Sequence, residues 1–187
     1  MVKYMEEFIE IPGKVSADIE DRRIAIKGPK GEITKDFDDP RFNRIIKIEK
    51  VGEKIVLRTE DDHRKIKAMV GTIAAHINNM ITGVTKGYSY TMKIVTTHFP
   101  ITVTASGSDI QIKNFFGEKS SRHAKIVGQA NVKIDKEQIE VLGIDIESVG
   151  QTAANIERAC KVRGRDRRIF QDGIYIYSKA LQTGEAI

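Results

Sequence analysis

The sequence predicts an α+β protein made of two tandem duplicated domains, each a small antiparallel β-sheet packed on one α-helix, over residues 1–83 and 84–187. Three observations predict it. Short stretches that alternate apolar and polar residues, punctuated by glycine and proline, occur in two series. Each series closes on a segment whose apolar residues recur every three or four positions, the period of a helix. Two motifs also return in order: Gly71-Thr-Ile-Ala-Ala-His-Ile77 matches Gly150-Gln-Thr-Ala-Ala-Asn-Ile156, and the IKGPKGE tract ending at Glu32 matches the IKNFFGE tract ending at Glu118. Units of about 80 residues, each with several strands before one helix, are the mark of a tandem α+β duplication.

In the first copy the strand pieces are FIEI, VSADI, RRIAIK, GPKGEI, RIIKIEK and KIVLRT. Ile24 and Ile26 share one face of their strand, as Ile55 and Leu57 do of theirs, so each has one buried side. Gly28-Pro29-Lys30-Gly31 and Val51-Gly52-Glu53-Lys54 read as hairpin turns. Asp61-Asp62 stands at an N-cap position, after which Ile66, Met69, Val70, Ile73, Ile77, Met80 and Ile81 form one helical stripe that Gly83 is expected to end. Gly71 costs about 1 kcal/mol inside a helix, so it is expected where the helix closely approaches a sheet.

In the second copy GYSYTMKIVTT, PITVTA, SDIQIK, AKIVG, NVKID and QIEVLG are the strand pieces. Ser148 with Gln151 has capping-box spacing and is expected to open the second helix, whose apolar positions are Val149, Ala153, Ile156 and Cys160. Beyond it, Ile174 and Ile176 alternate with Tyr175 and Tyr177 as a final strand.

With 187 residues, 40% hydrophobic and 30% charged, the chain can bury a real core. No apolar run approaches the roughly 20 residues needed to cross a bilayer. MVKYMEEFIEI carries acids where a signal peptide carries a basic region, so a soluble intracellular protein is expected. Cys160 is the only cysteine, which excludes an internal disulfide and a multi-cysteine zinc site; its helical spacing predicts a packed core position.

The charge is concentrated. Arg158–Lys179 holds seven Lys/Arg against Asp166 and Asp172, a net +5, equal to the net charge of the whole chain. Everything else therefore sums to zero. Five of these cations fall between Lys161 and Arg168, where they repel one another unless an anionic partner is present. Guanidinium groups hold phosphates bidentately and release condensed counterions, so a polyanion such as folded RNA is the expected partner and is expected to order the segment. Phe170 suits core packing, and the tyrosines suit stacking on bases.

Other motifs carry less. Gly28 and Gly31 lack the spacing and following helix of a Walker loop, and they lie between strands, unlike the clamp of KH domains. The four histidines, His63, His76, His98 and His123, form no metal-ligand pattern. His76 is expected to be half-buried beside the first helix stripe, and His63 to join the solvated cluster of Arg64, Lys65 and Lys67. Asp38-Asp39 and Asp61-Asp62 suit turns and caps better than acid/base catalysis. Ser120-Ser121-Arg122-His123 shows no nucleophile elbow and no third triad member. No catalytic constellation and no cofactor are expected.

Taken together, IPGKVSADIEDRRIAIKGPKGEIT and HRKIKAMVGTIAAHINNMITGVTKGY resemble the N-terminal domain of the universal large-subunit ribosomal protein six family, numbered nine in eukaryotes. RRIFQDGIYIYSK resembles the C-terminal signature of its archaeal and eukaryotic branch, and the Tyr-Lys-Gly-Lys-Gly tract of bacterial members is missing. The resemblance spans nearly the whole chain. It implies a non-catalytic constituent of the large ribosomal subunit that binds large-subunit rRNA chiefly through its C-terminal domain. That contact would lie near the sarcin-ricin loop and the docking region of translational GTPases, with ribosomal proteins as neighbours and no membrane. Carried over by position, it implies RNA contacts at Lys161, Arg163, Arg165, Arg167, Arg168 and Lys179, and at Lys27 and Lys30 of the KGPKG tract. The rival expectation is a protein-docking adaptor that uses strand edges, the Phe115-Phe116 pair and the basic loop against an acidic protein.

Overall fold

A computed structural model describes residues 5–43, 45–61 and 63–187, and the chain clusters into two compact units, Met1–Thr85 and Lys86–Ile187. The first unit contains β1 (Met5–Glu10), β2 (Ser16–Glu20), β3 (Arg23–Gly28), β4 (Gly31–Asp36), β5 (Ile46–Val51) and β6 (Lys54–Thr59), followed by α1 (Arg64–Thr85). The strands form two antiparallel sheets of three, β1-β6-β5 and β2-β3-β4, in place of the one sheet expected. Both sheets turn their apolar side to α1. Ile24, Ile26, Ile55 and Leu57 are fully buried and share a cluster with Ile66, Val70, Ile73, Ile77, Met80 and Ile81 of the helix. Each such side chain contributes about 1.5–3 kcal/mol by leaving water.

The β3–β4 turn packs against the end of α1. Lys30 donates its backbone N–H to the Val84 carbonyl at 3.0 Å, and a Cβ added at Gly28 would lie 2.9 Å from that same carbonyl oxygen. Backbone cannot yield as a side chain can, so Gly28→Ala is expected to destabilise the unit by about 1–3 kcal/mol, read as a lower urea midpoint with an unchanged slope. An unchanged midpoint would show that the turn moves away from α1 at no cost to admit the methyl group.

Two local expectations are corrected and a third is tested only in part. Gly83 does not end α1: it is buried within the helix, which runs to Thr85, and the left-handed residue that follows is Gly87 at φ 71°. Gly71 faces solvent with nothing within 4 Å of an added Cβ, so no sheet approaches it, and nothing in the structure explains the glycine. Before α1, Asp61 accepts the His63 N–H at 2.9 Å, while Asp62 lies outside the described residues.

The second unit repeats this plan with one addition. Its elements are β7 (Tyr88–Val95), β8 (Thr102–Ser106), β9 (Asp109–Lys113), β10 (Arg122–Lys125), β11 (Asn131–Ile134), β12 (Gln138–Gly143), α2 (Ile146–Ala159) and β13 (Gly173–Leu181). Sheet β8-β9-β10 corresponds to β2-β3-β4, and β11-β12-β7 corresponds to β5-β6-β1. The addition is β13, which pairs antiparallel along β7 on the edge that, among the described residues, β1 leaves unpaired in the first copy. The IKNFFGE tract occupies the place of the β3–β4 hairpin but does not form one. Asn114 and Phe116 take left-handed φ values of 61° and 52°, a 3-10 turn covers Phe115–Gly117, and the next strand waits until Arg122.

α2 also opens earlier than expected. Its N-cap is Asp145, whose carboxylate accepts the Glu147 and Ser148 N–H groups at 3.1 Å each. Ser148 therefore cannot cap: its hydroxyl donates to Asp145 at 2.5 Å, and Gln151 bonds Asn155 at 2.8 Å. Among the described residues, no helix is long and apolar enough to cross a membrane.

Candidate nucleic-acid interface

Between α2 and β13 the chain makes an irregular excursion, Lys161–Asp172, secured at both ends. At its start Arg122 of β10 donates to the Ala159 carbonyl at 2.8 Å and the Lys161 carbonyl at 3.2 Å. The other edge of that guanidinium forks onto Glu118 at 2.8 and 2.6 Å, and its Cζ lies 4.2 Å from the centre of the Phe115 ring. This bidentate bond holds the Glu118 carboxyl below its ordinary range. Cys160 and Val162, 3% and 8% exposed, then pin the chain to the core, and burial pushes the Cys160 thiol up to about 12.

At the far end the anchor is acidic. Asp172 is 1% exposed and accepts the backbone N–H groups of Thr97 and His98, with the His98 ring beside its second oxygen at 2.5 Å. Burial alone would raise this carboxyl, but the two amides and the imidazole outweigh it and hold it below its usual value. One of the segment's two acids is thus spent inward and does not neutralise the cations. His98 stacks on Phe170 at 4.8 Å, and Phe170 meets Phe116 edge-on at 5.8 Å.

Suspended between these anchors, Lys161, Arg163, Arg165, Arg167 and Arg168 are all exposed. They are not equivalent. Arg168 forks onto Asp166 at 3.1 and 2.8 Å, and that hydrogen bond raises the guanidinium while lowering the carboxyl. Arg165 lies 5.0 and 4.9 Å from the ring centres of Phe116 and Phe170, a cation–π seat that leaves its N–H edges free to donate. Lys161, Arg163 and Arg167 have no ion pair among the described residues. A cleft of about 410 Å³, lined in part by Arg167, has the buried Cys160, Val162 and Ile174 as its floor and the exposed Tyr175 along its side. Arg158, Lys161 and Glu157 complete its rim.

The remaining expected contacts lie elsewhere. A bulge between Ile176 and Ser178 shifts the strand register, so Lys179 stands opposite Tyr90 with its Nζ 5.5 Å from that ring's centre. Six residues of strand separate it from the start of β13, roughly 20 Å. Lys27 and Lys30 belong to the first unit; Lys27 lies 3.5 Å from Glu32. The structure thus brings five of the eight residues onto one loop, and it adds Arg122 and His98, which composition and spacing had not tied to this segment; Asp172, counted only as a charge, becomes an anchor, and Tyr175, expected to stack on bases, lines the cleft.

Two expectations about other sites change here. Ser121 and His123 do have a third partner: Ser121 Oγ is 3.1 Å from His123 Nε2, and His123 Nδ1 is 2.6 Å from Asp109 of β9. The His123 side chain is half exposed, so any charge developing there is stabilised mostly by water. Phe115, offered as half of a docking pair, is 1% exposed and buried beneath Arg122. Phe116 is partly buried against the same core.

Comparison with known proteins follows this architecture. The profile of the family described as Ribosomal protein L6 matches residues 11–87 and 99–173, one segment in each unit. Large ribosomal subunit protein uL6 of Desulfurococcus amylolyticus is 50% identical over 100% of this chain and 98% of its own length. Large ribosomal subunit protein uL6 of Sulfurisphaera tokodaii is 53% identical over 97% and 96%, and that of Methanobrevibacter smithii 47% over 94% and 96%. With the duplicated plan matched unit by unit and relatives aligned almost end to end, the chain belongs to the ribosomal protein L6 family.

Proposed function

We propose that this chain is a structural, non-catalytic constituent of the large ribosomal subunit, working on the cytoplasmic ribosome and gripping large-subunit rRNA mainly through the Lys161–Asp172 excursion. Family membership and the names of its full-length relatives support the first part. One observation supports the second: the loop presents Lys161, Arg163, Arg165 and Arg167 outward while turning Asp172 inward. A double-stranded or folded RNA is recognised through phosphate positions and shape, for which fixed guanidinium groups with little base readout suffice. The position near the sarcin-ricin loop and the GTPase docking region, contacts from Lys179, Lys27 and Lys30, and neighbouring ribosomal proteins belong to the same proposal.

If four to six phosphates are neutralised, log K for an rRNA fragment falls against log salt with a slope of roughly −3 to −5. Filter binding between low and moderate salt measures it. A flat dependence would overturn the proposed grip. The adaptor reading loses its aromatic anchor with Phe115 buried, and a pull-down that survives nuclease treatment is the result that would restore it.

A further inference from the structure

We propose that the cleft lined by Arg167 receives a single extruded nucleotide, its base against the Tyr175 ring and its phosphate on the Arg158, Lys161 and Arg167 rim. This rests on the RNA-binding reading above and names what part of the RNA the site takes. The cleft, about 410 Å³, falls within the range of small-ligand sites and is large enough for one nucleoside. Its floor is apolar, its wall aromatic and its rim cationic, the three chemistries that a base and its phosphate require together.

Two features make it a formed seat. The first is the platform. A Cβ added at Gly173 would fall 2.9 Å from Tyr175 Cζ, so the ring lies across the bare backbone of Gly173, and its hydroxyl donates to the Gln171 carbonyl at 3.2 Å. Glycine at 173 thereby fixes the ring's position, and a base stacking on it meets a surface already ordered. The second is the field. The C-terminal carbonyls of α2 would place negative charge beside the cleft, but Arg122 donates to that of Ala159 and to the Lys161 carbonyl just beyond the helix. The rim cations are left to act on a phosphate. Glu157, the one acid on the rim, can accept from an exocyclic amine, which favours adenine, cytosine or guanine over uracil.

The experiment has two arms on the full chain. In the first, amide shifts are followed by NMR while adenosine 5′-monophosphate, uridine 5′-monophosphate or ribose 5-phosphate is added. Shifts centred on Arg158, Lys161, Val162, Arg167, Ile174 and Tyr175, with adenosine monophosphate binding several-fold tighter than ribose 5-phosphate, are expected. Equal binding of the two would mean that no base is seated and would overturn the proposal. In the second arm, Tyr175→Ala is expected to weaken rRNA-fragment binding about ten- to hundredfold with an unchanged salt slope, while Tyr175→Phe stays within about threefold of the parent. Gly173→Ala keeps the tyrosine but displaces its ring, and is expected to reproduce most of the Tyr175→Ala loss. If the parent binds rRNA with the expected slope and these variants bind equally well, the seat is absent and the RNA grip stands. If the parent shows no salt-dependent binding, both fall.

Discussion

Replacing Arg163, Arg165, Arg167 and Arg168 together by alanine is expected to lower affinity for large-subunit rRNA about a thousandfold at moderate salt, and to reduce the salt slope by about three to four. The fold is expected to survive. None of the four side chains carries an anchor of the loop, since Val162, Phe170, Asp172 and Arg122 do that work. Circular dichroism and urea midpoints should therefore match the parent while incorporation into the subunit is lost. Single substitutions should rank. Arg163 and Arg167 have no ion pair among the described residues and should each cost more than Arg168, which must release Asp166 before it can serve a phosphate. Retained assembly in the quadruple variant would remove this loop from the site.

Asp172→Ala is expected to act through the fold. It strips the Thr97 and His98 amides of their acceptor and the His98 ring of its hydrogen-bond partner, a loss of about 3 kcal/mol at neutral pH. The pH dependence follows from the direction of the shift. Because the folded carboxyl is held below its unfolded value of about 3.9, its contribution is fully present above that value and disappears as pH falls through the folded one. Urea midpoints of the parent and of Asp172→Asn should differ most above about pH 5 and converge toward pH 2. A gap that stays constant over that range would show that the carboxylate's charge is not what matters. Since His98 stacks on Phe170, and Phe170 carries Arg165, Asp172→Asn should also weaken RNA binding without removing any cation from the loop.

The elements were legible where one period dominated. α1 could be read from its stripe because Ile66, Val70, Ile73 and Ile77 repeat without a competing signal. At α2 two caps competed within four residues. Ser148 and Gln151 have the right spacing, but the carboxylate of Asp145 reaches two amides and captures the serine's own hydroxyl, so the helix begins at Ile146. Splitting each series of strands into two sheets is a tertiary choice, made by the pairing of β1 with β6, and alternation within a strand says nothing about it. The site divides the same way. Arg163 and Arg167 stood out by local density of charge, which is a property of the chain. Arg122 lies about 40 residues before the carbonyls it holds, and His98 about 70 before its aspartate, and no sequence interval announces either. The bulge at Tyr177 is equally silent: strict alternation would group Lys179 with Tyr175 and Tyr177, and one extra residue carries it to Tyr90 instead.

Pairing β13 with β7 joins the first and last strands of the second unit, Tyr88–Val95 with Gly173–Leu181. During synthesis, some 80 residues must emerge before this ladder can close, and a long loop closes late because the entropy of bringing its ends together is spent before any pairing rewards it. The arginine excursion leads directly into that last strand, so a nascent chain cannot hold it in its finished shape until nearly the whole unit has been made. If the excursion grips rRNA as proposed, a half-translated copy is thereby kept from capturing the transcript early, and readiness to assemble becomes a report that translation of the second unit is complete.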